Sequence, residues 1–422
     1  MSKILYVSDD IRLPTGYGRL GYKWCSYLRD QGHEVTILGS HLTPQPFRPT
    51  TFEGLTIWPS REYGSVAEVR YMLDNVKPDV VLVNADPRFF DPLFSIDNEI
   101  RRECPLVFYH LWDDEPFPRF NVPKYKCCDR IIAGSKFVYD MLSAEKDFHE
   151  LPELDFVPIG IDEDVYKPLP FEERERFRKE FMHLTGNAFN PDFVVGFVGR
   201  FGGRKRLIDM MKYFAKFAKG KSDVLMLMHT TLQDEGGMID YVKNSLFRDD
   251  PIIISALQNQ KDSFINQLYN FFDVNLNLAF AEGFGMPLLE GLFAGTAGVS
   301  PANKGPLGFL NSENGVVMKS DVVTCSGAMG TPYIDAQYVN EQTVVNTLED
   351  LYQNRRKLNE KSSNARASVL LRYNEKQMLE GIENSLKTAM ENFKSTPNVM
   401  VTRIPDKMSE EFKPKMIKVV SN

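Results

Sequence analysis

The stretch FAEGFGMPLLEG, residues 280–291, places Glu282 and Glu290 on either side of two glycines and a proline. It directly follows DVNLNLA (273–279), an apolar run that predicts a buried strand. Pro287 suits the first turn of a helix, where its missing N–H costs nothing. The sequence therefore predicts a strand, a tight loop that carries Glu282, and a helix that carries Glu290 in its first turns.

This arrangement indicates an anion site between the two glutamates. Gly283 and Gly285 allow the backbone to approach a ligand closely, and a helix N-terminus offers free N–H groups and the positive end of the helix dipole. A carboxylate on each side suits a ligand with hydroxyl groups at both ends and phosphate in the middle, because carboxylates are strong hydrogen-bond acceptors. A nucleotide sugar has this layout. Taken singly, Glu290 is equally an ordinary helix-dipole acid and Glu282 a solvated loop acid.

The rest of the chain repeats the alternation of buried strands and helices. The strand segments are 3–9, 33–39, 79–85, 105–110 and 130–135 in the first half, and 193–199, 224–230, 251–255, 273–279 and 297–300 in the second. Continuous apolar runs of this kind are typical of parallel strands covered on both faces. We therefore expect an α/β protein with two Rossmann-like, doubly wound parallel-sheet domains that face each other across a cleft.

The length of 422 residues also suits two domains. We predict a Rossmann-like N-terminal domain at 1–165 and a Rossmann-like C-terminal domain at 166–374. Residues 375–394 are predicted to form a helix that crosses back to the N-terminal domain, followed by a polar tail at 395–422.

Composition narrows the class of protein. The net charge of −7 argues against a uniformly basic nucleic-acid-binding surface, although it leaves room for a local basic cleft. The five cysteines have no paired spacing, so we expect free thiols in a reducing compartment. No apolar run approaches the ~20 residues that span a bilayer, and the chain begins directly with a strand. We therefore expect a cytoplasmic protein.

The motif E-G-F-G-M-P-L-L-E resembles the E-x7-E signature of retaining glycosyltransferases of family four, which have the GT-B fold. The resemblance covers most of residues 1–394. It implies that Glu282 contacts the donor sugar and that the backbone of Phe284 and Gly285 meets sugar hydroxyls. It also implies that Glu290 holds the ribose. The donor-binding residues predicted on this basis further include Gly18, Met286, Leu288 and Leu289.

A second match to the family lies in FVGRFGGRKRLIDMM, residues 197–211. The family places an arginine and, five residues later, a lysine on the donor diphosphate, and these positions are Arg200 and Lys205 here. Two cations at that place would stabilise the charge that develops on the departing diphosphate. The alternative is a basic surface cluster formed by Arg200, Arg204, Lys205 and Arg206.

The resemblance also implies that the N-terminal domain binds the acceptor. His110 closes a predicted strand, in a region where family members carry a histidine near the reacting sugar. We therefore predict that His110, Glu282, Arg200 and Lys205 are the catalytic residues. Tyr17, in a glycine-rich loop, and Asp113 are predicted to bind the acceptor. A structural histidine and a solvated acidic turn are the alternatives.

The resemblance implies a hexosyl- or pentosyltransferase that transfers a sugar from a nucleotide sugar with retention of the anomeric configuration. It implies no tightly bound cofactor and no metal, and we favour a UDP-sugar over a GDP-sugar as co-substrate. The acceptor is left open as a glycan, a small molecule or a hydroxymethylated pyrimidine in DNA, as in phage-type enzymes. Basic residues predicted to rim the cleft would suit a phosphate-bearing acceptor, unless they are scattered solubilising charges. They are Arg12, Arg19, Lys23, Arg48, Arg61, Arg88 and Arg119.

Two other classes of protein compete with this interpretation. One is a non-catalytic nucleotide-sugar-binding protein. The other is a nicotinamide enzyme, since Gly16, Gly18 and Gly21 fit the spacing G-x-G-x-x-G. Glu34, however, falls at the beginning of the second strand and not at its end, which argues against the second class.

Overall fold

The structure is a computed structural model that describes residues 1–41, 46–185, 190–234, 237–257, 260–328 and 331–395. Gln258, a candidate contact for the nucleobase, and nearly all of the predicted tail lie outside the described residues.

The first half of the chain forms an eight-stranded sheet in the order β3-β4-β2-β1-β5-β6-β7-β8, in which only β3 is antiparallel to its neighbour. Its strands are β1 (Lys3–Asp9), β2 (Glu34–Ser40), β3 (Thr50–Phe52), β4 (Leu55–Pro59), β5 (Val80–Asn84), β6 (Leu106–His110), β7 (Arg130–Ala133) and β8 (Glu153–Phe156). Its helices are α1 (Gly16–Asp30), α2 (Val66–Asn75), α3 (Asp91–Phe94), α4 (Asp97–Glu103), α5 (Val122–Lys126) and α6 (Lys136–His149).

The second half forms a parallel six-stranded sheet in the order β13-β10-β9-β14-β15-β16. Its strands are β9 (Phe193–Val198), β10 (Val224–His229), β13 (Ile252–Ser255), β14 (Val274–Leu276), β15 (Ala297–Pro301) and β16 (Gly315–Met318). Two hairpins stand apart from it, namely β11 (Gln233–Asp234) with β12 (Gly237–Met238), and β17 (Val322–Ala328) with β18 (Thr331–Tyr338).

The helices of the second half are α7 (Phe171–Leu184), α8 (Leu207–Ala218), α9 (Ile239–Leu246), α10 (Asp262–Phe271), α11 (Met286–Phe293), α12 (Glu341–Gln353), α13 (Arg355–Leu370) and α14 (Glu375–Glu391). Short 3-10 helices occur at Pro87–Phe90, Arg119–Asn121, Gly203–Lys205 and Pro306–Gly308. None of the described helices combines the length and apolar character needed to cross a bilayer.

Both sheets are covered on their two faces, which confirms the predicted α/β fold class. In β1, Ile4 and Tyr6 pack into one apolar cluster while Leu5 and Val7 pack into another on the opposite face. This two-sided burial explains why the strand segments are continuous apolar runs. Each of the ten predicted strand segments overlaps an observed strand.

The last helix of the described chain packs on the N-terminal sheet. Ile161 forms a parallel β-bridge with Asn374, immediately before α14. Gly160 is required at this crossing because a Cβ there would lie 2.3 Å from the carbonyl oxygen of Asn374. Glu375 of α14 forms an ion pair with Lys23 of α1, and Glu383 accepts a hydrogen bond from Tyr27 at 3.1 Å.

Candidate active site

The stretch that carries the two glutamates forms the strand, loop and helix predicted from the sequence. The strand β14 ends at Leu276 and α11 begins at Met286, with Pro287 in its first turn. Gly285 occupies the N-cap position with φ of 93°, a left-handed conformation that favours glycine. This turn places Glu282 in the loop just before the helix and Glu290 within it.

Glu282 is the centre of a buried cluster of charges. Its side chain is 7% exposed, and its carboxylate accepts hydrogen bonds from Lys205 Nζ at 2.6 and 2.7 Å and from Arg204 Nη1 at 2.5 Å. Burial by itself would raise the pKa of Glu282, but Lys205 and Arg204 outweigh it and lower the pKa to about 2. The carboxylate is therefore ionised throughout the physiological range.

The two cations reach Glu282 from the turn between β9 and α8. Arg204 and Lys205 lie in the 3-10 helix Gly203–Lys205, and the carbonyl of Arg204 accepts a hydrogen bond from the N–H of Phe280 at 3.1 Å. The Arg204 guanidinium also donates to the carbonyl oxygen of Ala281. Both backbone and side chain of Arg204 thus hold the turn against the loop of Glu282.

The N-terminal domain contributes Asp113 to this cluster. Asp113 follows β6, and its Oδ1 accepts a hydrogen bond from the N–H of Gly283 at 3.0 Å, while its Oδ2 lies 3.9 Å from Arg204 Nε. A Cβ on Gly283 would lie 3.1 Å from both Asp113 Oδ1 and the carbonyl oxygen of Trp112. Glycine at this position therefore permits close approach of the two domains.

Tyr17 lies within electrostatic range of Asp113, the other predicted acceptor-side residue. Burial raises the pKa of Tyr17, and the carboxylates of Asp113, Asp86 and Asp9 add to this effect. Arg204 lies close enough to oppose them. The phenol of Tyr17 therefore stays protonated, with three carboxylates and the guanidinium of Arg204 in its surroundings.

Glu290 forms the second buried carboxylate of the site. Its side chain is 2% exposed, and it accepts a hydrogen bond from Tyr269 Oη at 2.8 Å. Arg19 of α1 reaches it from the N-terminal domain, with Nη2 at 3.4 Å from Glu290 Oε1. Burial raises the pKa of Glu290, whereas Arg19 and the hydrogen bond from Tyr269 act against that rise.

His110 is enclosed by aromatic rings and has no exposed surface. Its Nε2 lies 2.8 Å from Tyr125 Oη, and its ring packs against Phe108 at 5.0 Å. Its Nδ1 has no hydrogen-bond partner among the described residues. Burial lowers the pKa of His110 to about 3, although Asp86 opposes this shift. A contact between His110 and a reacting sugar therefore stays a prediction.

The remaining donor-side residues differ in what they can offer a ligand. The side chains of Phe284, Leu288 and Leu289 are in the core, so only their backbone faces the loop. The N–H groups of both leucines already donate to the carbonyl of Gly285. Arg200 follows β9 with an exposed side chain. Whether these residues bind a donor stays a prediction.

The structure explains the glycine at position 18 and shows ion pairs for two residues of the predicted basic rim. A Cβ on Gly18 would lie 2.4 Å from the carbonyl oxygen of Leu13, so this glycine allows α1 to begin close to the preceding loop. Arg12 and Arg88 of the predicted basic rim pair with Asp10 and Asp86, at 2.7 and 2.6 Å. Their charges are thus locally balanced.

Sequence reasoning missed Arg204 and the hairpin β17–β18. Arg204 precedes Lys205 in the same basic run, but the family pattern pointed to Arg200 and Lys205. The hairpin reaches the site through its backbone, because the N–H of Gln337 donates to the carbonyl of Phe280 at 2.6 Å. Its neighbour Asp335 donates its N–H to the carbonyl of Glu115 in the loop after β6, also at 2.6 Å.

Asp114 is a further buried acid beside the hairpin. It is 0% exposed, its Oδ1 accepts from the N–H of Glu115 at 2.7 Å, and its Oδ2 has no partner among the described residues. Burial raises the pKa of Asp114 to about 7, opposed by that backbone hydrogen bond, by Lys304 and by Gln337. The site thus contains one carboxyl group that titrates near neutral pH.

Two parallel-sheet domains with a polar cluster between them define the GT-B fold of glycosyltransferases, and solved structures share it. A sucrose-phosphate synthase from Thermosynechococcus elongatus superposes with a TM-score of 0.71 at 12% identity, covering 93% of this chain and 100% of that one. The Anabaena protein HepE in complex with UDP-glucose gives 0.67 at 18% identity, covering 92% and 100%. A glycosyltransferase from Rickettsia africae gives 0.68 at 14% identity, covering 92% and 98%.

No protein-family model and no curated protein sequence matches the chain. At these low identities the structural likeness establishes the GT-B fold. The alternative of a nicotinamide enzyme has no support from these neighbours.

Proposed function

We propose that the protein is a retaining glycosyltransferase, similar to family four, that moves a sugar from a nucleoside-diphosphate sugar to a hydroxyl acceptor. The observation that carries this proposal is the buried carboxylate of Glu282, held by Lys205 and Arg204 at the start of α11. Cations next to a helix N-terminus are suited to a diphosphate, and the adjacent carboxylate is suited to sugar hydroxyls. The GT-B fold of the chain supports the same assignment.

In the proposed reaction, the bond between the anomeric carbon and the diphosphate oxygen breaks while a bond to the acceptor oxygen forms on the same face. The acceptor proton passes to the departing diphosphate. Arg200, Lys205 and the N-terminus of α11 would stabilise the charge on that group, and Arg204 joins this set by its position next to Lys205. Glu282 would orient the sugar, with Met286 and the backbone of Gly285 beside it.

The two domains would divide the substrates between them. The C-terminal domain, residues 166–374, would hold the donor, with Glu290 on the ribose. The N-terminal domain, residues 1–165, would bind the acceptor near Tyr17 and Asp113. A UDP-sugar is the first donor to test, because HepE was solved with UDP-glucose. The proposed acceptor is a hydroxyl group of a glycan, a small molecule or a hydroxymethylated pyrimidine in DNA, in a cytoplasmic setting.

The decisive experiment combines a donor screen with a variant of Glu282. Purified protein is incubated with UDP- and GDP-linked hexoses and pentoses, and release of the nucleoside diphosphate is measured with and without acceptor panels. We expect one donor to raise the unfolding temperature and to be consumed. Glu282→Gln should lower the rate by about 10²- to 10³-fold, the usual loss when a group that stabilises the transition state is removed.

Glu99→Gln is the matched control, because Glu99 is another buried carboxylate, 6% exposed and held by Arg70 at 2.6 and 2.9 Å, but far from the cluster. It should keep the parental rate. Binding of a nucleotide sugar without any turnover would favour a non-catalytic binding protein. Turnover that survives Glu282→Gln would refute the site assignment. The anomeric configuration of the product, read by NMR, tests retention.

A further inference from the structure

Arg19 connects the N-terminal domain to three oxygen atoms around the proposed ribose site of the C-terminal half. Its Nη2 lies 3.0 Å from Asp262 Oδ1, 3.1 Å from Tyr166 Oη and 3.4 Å from Glu290 Oε1. Arg19 comes from the first turns of α1, whereas Glu290 comes from α11 and Asp262 from the start of α10. One guanidinium therefore ties α1 to two helices across the cleft.

The same contact closes one side of a pocket. Arg19 and Glu290 line this pocket together with Lys23, Tyr166 and Met286. The carboxylate proposed to receive the ribose hydroxyls thus already has a protein partner, and that partner belongs to the opposite domain. A ribose that binds Glu290 must share or replace the contact with Arg19.

We infer that Arg19 is a positioning residue that keeps Glu290 ionised and oriented before the donor binds and yields its place to the ribose hydroxyls of the donor. This inference rests on the proposed function, because it takes Glu290 as the ribose contact. A carboxylate accepts charge-assisted hydrogen bonds from two hydroxyl groups, whereas a protonated carboxyl group is a weaker acceptor and uses one oxygen as a donor, so the charge of Glu290 decides how well a ribose binds.

The surroundings of Glu290 explain why a cation is needed there. Burial raises its pKa and the nearby Asp262 adds to the rise, while Arg19, the hydroxyl of Tyr269 and the more distant Lys23 oppose it. Tyr166, on the other side of Arg19, stays neutral because burial raises its pKa. Arg19 is the closest cation, so its loss moves the pKa of Glu290 further upward.

The test is the pH dependence of UDP and UDP-glucose binding, measured by calorimetry from pH 5 to pH 8.5 for the wild type, Arg19→Ala and Arg19→Lys. The ratio of the variant dissociation constant to the wild-type constant removes the titration of UDP itself. For Arg19→Ala this ratio should grow as the pH falls, by up to about tenfold per pH unit below the new pKa of Glu290. Arg19→Lys keeps the charge and should restore most of the wild-type profile.

Arg29→Ala is the matched control, since Arg29 lies near the end of the same helix and pairs with Asp30 at 2.8 Å. Its ratio should stay near one at every pH. A ratio for Arg19→Ala that is constant with pH overturns the inference, because Arg19 would then contribute only packing or a uniform contact.

A ligand-free measurement separates this inference from the proposed function. If the wild type binds neither nucleotide, the proposed function fails, and unfolding of Arg19→Ala, Glu290→Gln and the double variant then decides the role of Arg19. We expect the destabilisation by Arg19→Ala to grow from pH 5 to pH 8 and to shrink when Glu290 is already glutamine. A destabilisation by Arg19→Ala that is the same at every pH, and the same with glutamate or glutamine at position 290, overturns the inference.

Discussion

The ammonium group of Lys205 lies 2.6 and 2.7 Å from the two carboxylate oxygens of Glu282, so it bridges both of them. Lys205 itself is well covered, with a side chain 15% exposed, and burial lowers its pKa while Glu282 acts to raise it. Each group keeps the other charged. Removing one of them therefore changes the protonation of the second as well as the number of charges in the site.

Lys205→Ala should shift acid unfolding to higher pH. The folded-state pKa of Glu282 is lowered to about 2, below the ~4.3 of an unfolded chain. The ion pairs of Glu282 therefore stabilise the fold fully above the unfolded pKa. This contribution is lost as the pH falls from 4 toward 2. Without Lys205 the pKa of Glu282 rises. The free energy of unfolding at pH 7 should fall by less than the ~3–5 kcal/mol typical of a broken buried pair, because Arg204 remains.

The measurement is circular dichroism during denaturant unfolding at pH values from 3 to 7. Lys136→Ala is a suitable control, because Lys136 forms an exposed ion pair with Asp140 one helical turn away. It should leave the acid midpoint where it is. An unchanged midpoint in Lys205→Ala would mean that Arg204 alone sets the ionisation of Glu282.

Gly305→Ala should displace the loop of Glu282 without touching any of its side chains. A Cβ on Gly305 would lie 2.3 Å from the carbonyl oxygen of Glu282 and 2.5 Å from the carbonyl carbon of Gly283, and both are backbone atoms that cannot rotate away. The loop must therefore shift, and a shift of about 1 Å in a catalytic group costs on the order of 10²-fold in rate. Steady-state kinetics with the donor found in the screen measures this loss.

Gly308→Ala is the control for that variant, as it ends the 3-10 helix that Gly305 precedes but its Cβ would meet nothing closer than Tyr373 Oη at 3.4 Å. It should keep near-parental kinetics. Equal rates for the two variants would show that the position of the loop of Glu282 does not limit the reaction.

The sequence predicts those parts of the fold in which one short segment determines its own structure. The strand expected at 3–9 coincides with β1. Gly285 and Pro287 mark the start of α11, because glycine suits the left-handed N-cap and proline suits the first helical turn. The short strands β3 and β4 escaped prediction; in β3 two of the three residues are exposed, so no buried apolar run marks it. The hairpin β17–β18 escaped it because Val322 and Val323 are exposed, so no buried apolar pattern marks it.

The candidate site was predictable only where its residues are neighbours in the chain. Glu282 and Glu290 share one motif, and Lys205 belongs to a short basic run. Arg19 and Glu290, by contrast, are 271 residues apart, and only the tertiary fold brings them together. A single sequence carries no signal for such a pair. The contact of Asp113 with Gly283 across the cleft could not be predicted either, because these residues are also far apart in the sequence.

Asp114→Asn should stabilise the protein at neutral and alkaline pH, and the gain should shrink as the pH falls toward 4. The pKa of Asp114 is raised to about 7, above the ~3.9 of an unfolded chain, so the folded state binds the extra proton between these values and stability falls as the pH rises through 7. Asparagine is neutral at every pH and removes that slope. The gain at pH 8.5 should be on the order of 1–4 kcal/mol.

Urea unfolding of both proteins at pH 3.5, 5.5 and 8.5 measures this difference, and the pH 3.5 comparison is the internal control because the wild-type carboxyl group is then largely protonated in both the folded and the unfolded state. Parallel stability profiles across the three pH values would contradict a raised pKa for Asp114. In that case the carboxylate must gain a partner that offsets its burial, with Lys304 and Gln337 the nearest candidates.

His110 should remain neutral over the whole range in which the protein is active. Burial lowers its pKa to about 3, below the ~6.5 of an unfolded chain, so the unfolded state binds more protons between these values and stability rises with pH until about 6.5. His110→Gln keeps an amide near the position of Nε2, which can still meet Tyr125 Oη, but it removes the titration. Its free energy of unfolding should therefore approach or exceed that of the wild type as the pH falls toward 4.

Imidazole resonances of histidine-labelled protein give the direct measurement, and the chain has only six histidines to assign. The signal that disappears in His110→Gln should show no chemical-shift change between pH 5 and pH 8, whereas exposed histidines titrate near 6.5. A titration of that signal near neutral pH would mean that water reaches the ring between Phe108 and Trp112. Such access would let His110 contact the reacting sugar, which is the role predicted for it from the sequence.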